Sequence, residues 1–518
     1  MTPMRPESAY LFRSVLVPAT SLILSPMLMF SLLAAPPAPS ASTASSPPPQ
    51  AVKVIPPTAA QLQVAERLVG PSLTEGHAWD RLVELTDSIG PRLSGSVGAE
   101  AAVQWALRSF KADGVRAWTE PVKVPHWVRG EEHAELLSSD RYFGRPLHVM
   151  ALGDSAPTPP GGITAEVVEV SSLEELATLG DRVKGRIVLF RHDMKINEDY
   201  GKFAGLRGRG PSAAAKAGAV GALVRSLATA SLSTPHTGAT RFDDGVAPIP
   251  AASITVEDAE LLHRLLAGGT SVRVRLMLGC KQLPEADSYN VVAEVKGREK
   301  PEEIVLIGAH LDSWDVGAGA QDDGAGVVMV MEAARLIARQ KPAPRRTVRV
   351  VLFMNEENGL RGAKAYAEAH AAELPKHVAA LEMDAGAGRP LGLMFRSGEG
   401  SAELVQPWLS PMVALGSAAI LQGDAGGADL LPLMPAQVPL VSVKIDSSRY
   451  FDVHHSYADT LDKIDPEALA KSTAATAWTA YLLAEMSGVL ARPAVPPVAP
   501  PAPVAPPAVS KPTARGTP

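Results

Sequence analysis

"EIVLIGAHLDSWDVGAGAQDDGAG", residues 303–326, decides how the chain is read. Its first eight residues form an apolar run ending in a histidine, the pattern of a buried β-strand. A loop carrying Asp312, Asp315, Asp322 and Asp323 follows, and then "GVVMVMEAARLIARQ" (326–340), which reads as a helix. An acidic loop is ordinarily just solvated. Placed between the carboxyl end of a strand and the start of a helix, it sits where open α/β sheets keep their active sites.

The alternation continues outward. "NVVAEVKG" (290–297), "TVRVVLFMNEE" (347–357), "HVAALEMDAG" (377–386) and "VPLVSVKID" (438–446) read as further strands with helical stretches between them. This βαβ-like rhythm predicts an α/β fold, with a mostly parallel mixed sheet flanked by helices on both faces. Upstream, "TAAQLQVAERLVG" (58–70) and "AWDRLVELTDSIG" (78–90) have helical patterns. Residues 140–280 differ: short strands ("GRIVLFRH", "GAVGALVRS", "SVRVRLML"), Gly-rich turns and the small-residue helix "PSAAAKAG". That region holds few candidates for chemistry, and no internal repeat is evident.

The 518 residues suffice for two or three domains, and 46% hydrophobic with 20% charged residues is ordinary for a globular chain. A formal charge of -6 and the lack of any Lys/Arg cluster give no reason to expect nucleic acid. Arg5 and Arg13 precede the apolar run "VLVPATSLILSPMLMFSLLAA" (15–35), which closes on small residues. That is the pattern of an export signal, with an uncleaved membrane anchor as its rival. Pro18 and Pro26 inside the run favour a cleaved signal, so no stable membrane association is expected after cleavage. The Pro/Ser/Ala stretch to residue 57 reads as a linker, and 491–518 as a Pro/Ala-rich tail unable to build a core. Cys280 is the only cysteine, so no intramolecular disulfide forms; it is expected as a small buried residue. An exported chain without disulfides must rely on its core, with bound metal as a further tie where ligands exist.

Three more groups stand at strand exits: Glu356 and Glu357 in "VVLFMNEENG", Asp384 in "ALEMDAG", and His454 and His455 in "FDVHHSYADT". Singly, each has a plain reading as a helix start, a cap or a packed pair. One sheet, however, would bring all the exits to one edge. There the converging carboxylates would repel one another unless cations were bound. Imidazole with carboxylate suits zinc, with cobalt or manganese admitted on ligand type. An odd number of carboxylates with a histidine on each side suggests two ions sharing an aspartate. His310 and Asp312, two apart on an extended strand, share a face, so the Asp312 carboxylate is expected to accept the ring N–H of His310. "GLRGRG" (205–210) lacks the Lys-Ser/Thr of a phosphate loop and is expected as a turn. "RHD" (191–193) has no second histidine at ligand spacing and reads as a strand-end turn.

Taken in order, "GAHLDSWDVGAGAQDDGAG", "FMNEENGLRG", "LEMDAG" and "HHSYADT" resemble the motif set of the M28 family of co-catalytic zinc exopeptidases. "GPRLSGS" (90–96) and "EPVKVPHWVRGEE" (120–132) resemble one branch of it, and the likeness runs from about residue 60 to 485. The resemblance implies two zinc ions. His310, Asp322 and Asp384 would hold one; Asp322, Glu357 and His455 the other. Asp322 falls four residues before Gly326, where the family's bridging carboxylate stands. His455 matches the ligand, being followed by Ser and, four on, by an acid. Glu356 would be the general base, moving a proton from the attacking water to the leaving amine. His454 takes the place of a Tyr that steadies the oxyanion in some relatives. Asp429, in "GGADLLPL", would meet the substrate's amino group.

The implied division is a signal at 1–35, a linker at 36–57, catalytic segments at 58–135 and 283–490, an inserted β-rich protease-associated domain at 136–282, and the tail. The expected function is that of an exported di-zinc peptidase acting on short peptides. An aminopeptidase on the same scaffold and a non-catalytic receptor-like relative are the rivals. The expected partner is a short peptide; the oligomeric state stays open, with a homodimer admitted.

Overall fold

A computed structural model describes residues 54–137 and 144–494. The signal, most of the linker and nearly all of the tail lie outside them. No helix among the described residues is long and apolar enough to cross a membrane.

Seven strands form the main sheet: β1 Arg116–Val128, β2 Lys281–Val295, β3 Lys300–His310, β4 Arg346–Phe353, β5 His377–Glu382, β6 Pro390–Arg396 and β7 Leu440–Ile445. They lie in the order β1-β2-β4-β3-β5-β7-β6. The four strands from β4 to β7 are parallel; β1, β2 and β6 join antiparallel. The parallel part is therefore the centre of the sheet, and antiparallel ribbons finish both flanks. β1 and β6 were the strands hidden from pattern reading. β1 is mostly half-exposed, and β6 is interrupted by Gly392 and half-buried over its last three residues, so neither shows a long apolar run.

The helix Ala325–Ala338 is buried from Ala325 through Ile337. It lies between the sheet and the helix Pro466–Glu485 in the largest core cluster. A helix buried all round must be apolar all round, which is why "GVVMVMEAARLIA" carries almost no polar face. Its two charged residues are paired internally: Arg335 donates to Glu332 from Nε at 2.7 Å.

A second sheet of eight strands is built from residues Glu132 to Leu278, so both chain crossings fall a little ahead of 136 and 282. Three helices, Leu173–Leu179, Tyr200–Lys216 and Val256–Ala267, accompany it. "GLRGRG" is not a turn; it forms the middle of Tyr200–Lys216. The reason lies in packing, since a Cβ at Gly210 would come within 3.0 Å of the Phe190 ring, and glycine lets the helix lie close. Cys280 is buried, in the core of this second unit.

The second unit is built around the metal-loop candidate. Trp314 and Val316, from the acidic loop, belong to its hydrophobic core. A Cβ at Gly153 would lie 2.2 Å from the end of the Trp314 ring. Arg129 grips Asp315 through Nε at 2.7 Å and Nη2 at 2.8 Å while donating to Ala151 O at 2.7 Å. The inserted unit is thus anchored on the very loop that carries the aspartates.

His377, at the start of β5, has no exposed surface; its ring meets the Tyr366 hydroxyl at 2.9 Å and Glu373 O at 3.1 Å. Burial pushes its pKa down to about 4. The unfolded chain therefore binds a proton, below about 6.5, that the folded chain refuses. The stabilisation is present above that pH and is lost as pH falls toward about 4, an effect on the order of 3 kcal/mol. Urea unfolding at pH 7 and pH 4.5 should show a smaller acid loss for His377→Gln than for the wild type. Equal losses would contradict this assignment.

Candidate metal centre

The carboxyl ends of β3, β4 and β5 and the turn after β7 converge as the motif spacing requires. His310 closes β3, Glu356 and Glu357 follow β4, and Asp384 lies two residues beyond β5. Asp322 lies between them with its two oxygens facing opposite ways. Oδ1 is 3.1 Å from His310 Nε2, which is itself 3.6 Å from Asp384 Oδ1. Oδ2 is 3.2 Å from His455 Nε2, which is 3.0 Å from Glu357 Oε2. Zinc bonds of about 2.0–2.1 Å place the ligand atoms of a tetrahedral ion about 3.3 Å apart. His310, Asp322 and Asp384 gather within 4.8 Å of one another; on the other side Asp322, His454 and His455 do so, and Glu357 reaches that group through His455. Asp322 Oδ2 and Glu357 Oε1 are also buried without a hydrogen-bond partner. The donor set fits divalent ions of the zinc type.

The electrostatics say the same thing. Burial opposes charge on His310, yet the Asp322 and Asp384 carboxylates hold it well above the ordinary histidine range. His455 is likewise opposed by burial but raised to about 10, by Glu357 and Asp322. Burial and Asp322 push Glu357 up to about 7. These carboxylates need cations beside them, whether protons or metals.

Several neighbours hold this geometry. Arg92, from "GPRLSGS", is fully buried and spends its guanidinium on the acidic loop, donating to Leu311 O and Ala318 O at 2.7 Å and Gly319 O at 2.9 Å. Asp459, the acid four beyond His455, accepts the Gln321 and Asp322 N–H groups at 2.7 and 3.1 Å. Asp323 accepts the His310 N–H at 3.1 Å and the Gly326 N–H at 3.1 Å. His455 itself has φ 60, a left-handed conformation that a non-glycine residue holds only when its surroundings impose it.

Asp312 differs from expectation. Its main-chain carbonyl, not its carboxylate, meets His310 Nδ1, at 3.0 Å. The carboxylate turns instead to the β4 exit, where Oδ1 accepts Asn355 N–H at 2.7 Å and Glu356 N–H at 3.1 Å. The strand ends at His310, and the Asp312 side chain is drawn away by the backbone N–H groups of the β4 exit. Asp312 thus steadies both the histidine and the turn carrying Glu356.

Glu356 stands outside both ligand clusters and is partly exposed. His454 stacks on His455 at 3.5 Å, with its Nε2 3.7 Å from Asp322 Oδ2. Burial and the neighbouring His455 hold His454 well below the ordinary range, so it is neutral. Tyr450 was missed by sequence reading: its buried hydroxyl lies 3.5 Å from Asp384 Oδ1. Burial, with Asp322 and Asp384 nearby, keeps it protonated. Its place one helical turn before His454 was the available signal. Asp429 has no exposed surface, so it cannot touch a substrate directly. Its N–H reaches Glu382 Oε1, two residues before Asp384, at 3.4 Å.

The inserted unit walls one side. Arg207 donates to Thr237 O at 3.2 Å and to the Tyr200 hydroxyl at 2.8 Å, and lies 3.4 Å from His455 Nδ1. Tyr200 stacks on Phe451 and meets His454 edge-on.

A sheet edge that gathers these histidines and carboxylates around one aspartate, with a glutamate beside them, is the kind of site found in hydrolases. Residues 290–480 match the model of peptidase family M28. The chain is 39% identical to carboxypeptidase Q of Homo sapiens over 81% of its own length and 87% of the relative's. It is 40% identical to that of Rattus norvegicus, over 81% and 87%. A peptidase M28 precursor from Shewanella amazonensis SB2B superposes with a TM-score of 0.80 at 41% identity, covering 85% of this chain and 99% of that one. A zinc aminopeptidase from Bacillus subtilis shares the fold at a TM-score of 0.60 and 20% identity, over 80% and 97%. The chain belongs to peptidase family M28 and is a hydrolytic exopeptidase; its curated likeness is to carboxypeptidase Q.

Proposed function

We propose that this chain is an exported di-zinc exopeptidase that hydrolyses short peptides, chiefly dipeptides with both termini free. The observation that carries the reading is Asp322, whose two oxygens face two separate imidazole–carboxylate pairs. His310, Asp322 and Asp384 would hold one ion, and Asp322, Glu357 and His455 the other. Zinc bound there would supply Lewis-acid polarisation of the scissile carbonyl and a water acidic enough to attack near neutral pH.

The chain's own residues do the rest. Glu356, held by Asp312 through its backbone N–H, takes the proton of the attacking water and delivers it to the leaving amine. Tyr450 and neutral His454 are the donors available to the oxygen on which charge develops. Arg92, Asp323 and Asp459 keep the ligand loop preorganised. A receptor-like role would leave this complete ligand set without a purpose.

The preference for free termini rests on the carboxypeptidase Q likeness and on charge. A closed pocket must pair a substrate's terminal charges, because unpaired ones are costly to bury. Mass spectrometry of products should compare a free dipeptide, its N-acetyl form, its C-terminal amide and a free pentapeptide. The free dipeptide should be cut best, with each blocked form falling at least about tenfold, as expected for one lost charged hydrogen bond. Trimming of the pentapeptide from its N-terminus, with no penalty for the amide, would instead mark an aminopeptidase. No cleavage of any of them with zinc present would point to the receptor-like relative. Export is supported by the run at residues 15–35. Activity confined to the cytoplasmic fraction would remove that part.

A further inference from the structure

The inserted unit clasps the segment that ends in His455 at several points. Asn197 donates to Ser447 O, Thr229 Oγ1 donates to Asp452 Oδ1 at 2.8 Å, and Tyr200 stacks on Phe451. Two further residues reach His455 itself. Thr237, fully buried in the loop between the strands Gly221–Arg225 and Ala251–Ile254, donates its N–H to His455 O at 2.8 Å. Its carbonyl oxygen lies 3.3 Å from His455 Nδ1 and accepts Arg207 Nη1 at 3.2 Å.

The other ring nitrogen decides what Nδ1 must do. His455 Nε2 faces Asp322 and Glu357, so an ion there takes its lone pair and the ring proton belongs on Nδ1. Thr237 O is placed to accept that proton; Arg207 Nη1, 3.4 Å from the same nitrogen, has no lone pair to offer. A carbonyl oxygen has two lone pairs, so it serves both donors. Such a partner fixes the tautomer and the ring direction of a ligating histidine.

The carbonyl is itself held from both sides. Thr237 Oγ1 donates to Ala151 O at 2.7 Å, the same oxygen that Arg129 uses while gripping Asp315 of the acidic loop. Arg207 spends its other nitrogen on the Tyr200 hydroxyl and, among the described residues, pairs with no acid. A Cβ at Gly238, where φ is 136, would lie 2.3 Å from Arg207 Cζ, so glycine lets the guanidinium cross above Thr237. The charge of Arg207 is not what serves the site, since Asp322 and Glu357 already offset an ion there. Its planar fork supplies a fixed direction for the carbonyl.

We propose that the inserted unit completes the second ligand cluster: Thr237 O takes the Nδ1 proton of His455, leaving Nε2 to the ion, and Arg207 is the positioning residue that fixes this carbonyl. This rests on the reading of two ions around Asp322.

The test uses the full-length enzyme, stripped of metal and titrated with zinc, and separately with cobalt, against a competing chelator. The wild type should bind two ions. Arg207→Ala should weaken one of them on the order of 10–100-fold and leave the other within about threefold, as for loss of a group that orients a ligand. The cobalt absorption of the ion that stays should match that in Glu357→Gln, which lacks a ligand of the same cluster. Thr237→Val keeps the shape but frees the carbonyl from its tie to Ala151, so it should weaken the same ion; it decides the matter if Arg207→Ala folds poorly. Thr229→Val loosens the clasp without touching His455 and should keep both affinities. Two wild-type affinities in a folded Arg207→Ala, or an equal weakening in Thr229→Val, overturn the proposal while leaving the two-ion reading intact. A wild type that binds a single ion removes both.

Discussion

A Glu356→Gln enzyme is expected to keep its fold and its metals and to lose on the order of 10²–10⁴ in turnover of a dipeptide. That loss equals about 3–5 kcal/mol of transition-state stabilisation. The substitution preserves shape and removes only the ability to take a proton. Glu356 belongs to neither ligand cluster, and its backbone is held by Asp312 whatever its side chain. Glu357→Gln should behave differently, because Glu357 Oε2 lies 3.0 Å from His455 Nε2 as part of a ligand set. It should weaken one metal site and lose activity through the metal. Metal content and single-turnover rates of the two variants separate the roles. Equal metal loss with equal residual activity would show that base and ligand have been exchanged.

Asp322→Ala should lose both ions. Each of its oxygens serves a different cluster, and its removal also leaves His310, Asp384, Glu357 and His455 without the group between them. Elemental analysis should find two divalent ions in the wild type and fewer than one in the variant, which should be inactive at any zinc concentration. In the wild type, a chelator should abolish activity that zinc or cobalt restores. Chelation should also lower Tm, since ions that bind only the folded state stabilise it by mass action. Two tightly held ions in Asp322→Ala would end the bridging assignment.

The inserted unit bears on both experiments. Trp314 and Asp315 are neighbours of the ligand loop and at the same time anchors of the second sheet. Displacing that unit would therefore disturb the loop that carries Asp322. Arg207 and Thr237 reach the far side of His455, which ties the unit to the second ligand cluster as well.

Much of the centre was legible in the linear chain because its ligands stand at strand exits, and strands with long apolar runs announce themselves. β3, β4, β5 and β7 are such strands, and His310, Glu356, Glu357 and Asp384 follow from them together with the motif order. What the chain alone determined is this inventory: the α/β alternation, the candidate ligand residues and their spacing. The alternation depends on local patterning, which period and composition carry, while the family showed in the resemblance of the ordered motifs. Tertiary structure decided the rest. The half-exposed flank strand β1 has a pattern that only its partner β2 explains. The turn of Asp312 toward Glu356, the fastening of the acidic loop by Arg92, and the burial of Asp429 behind Glu382 all join residues far apart in the chain. Such contacts are set by how the sheet and its inserted neighbour pack, and no local periodicity encodes them.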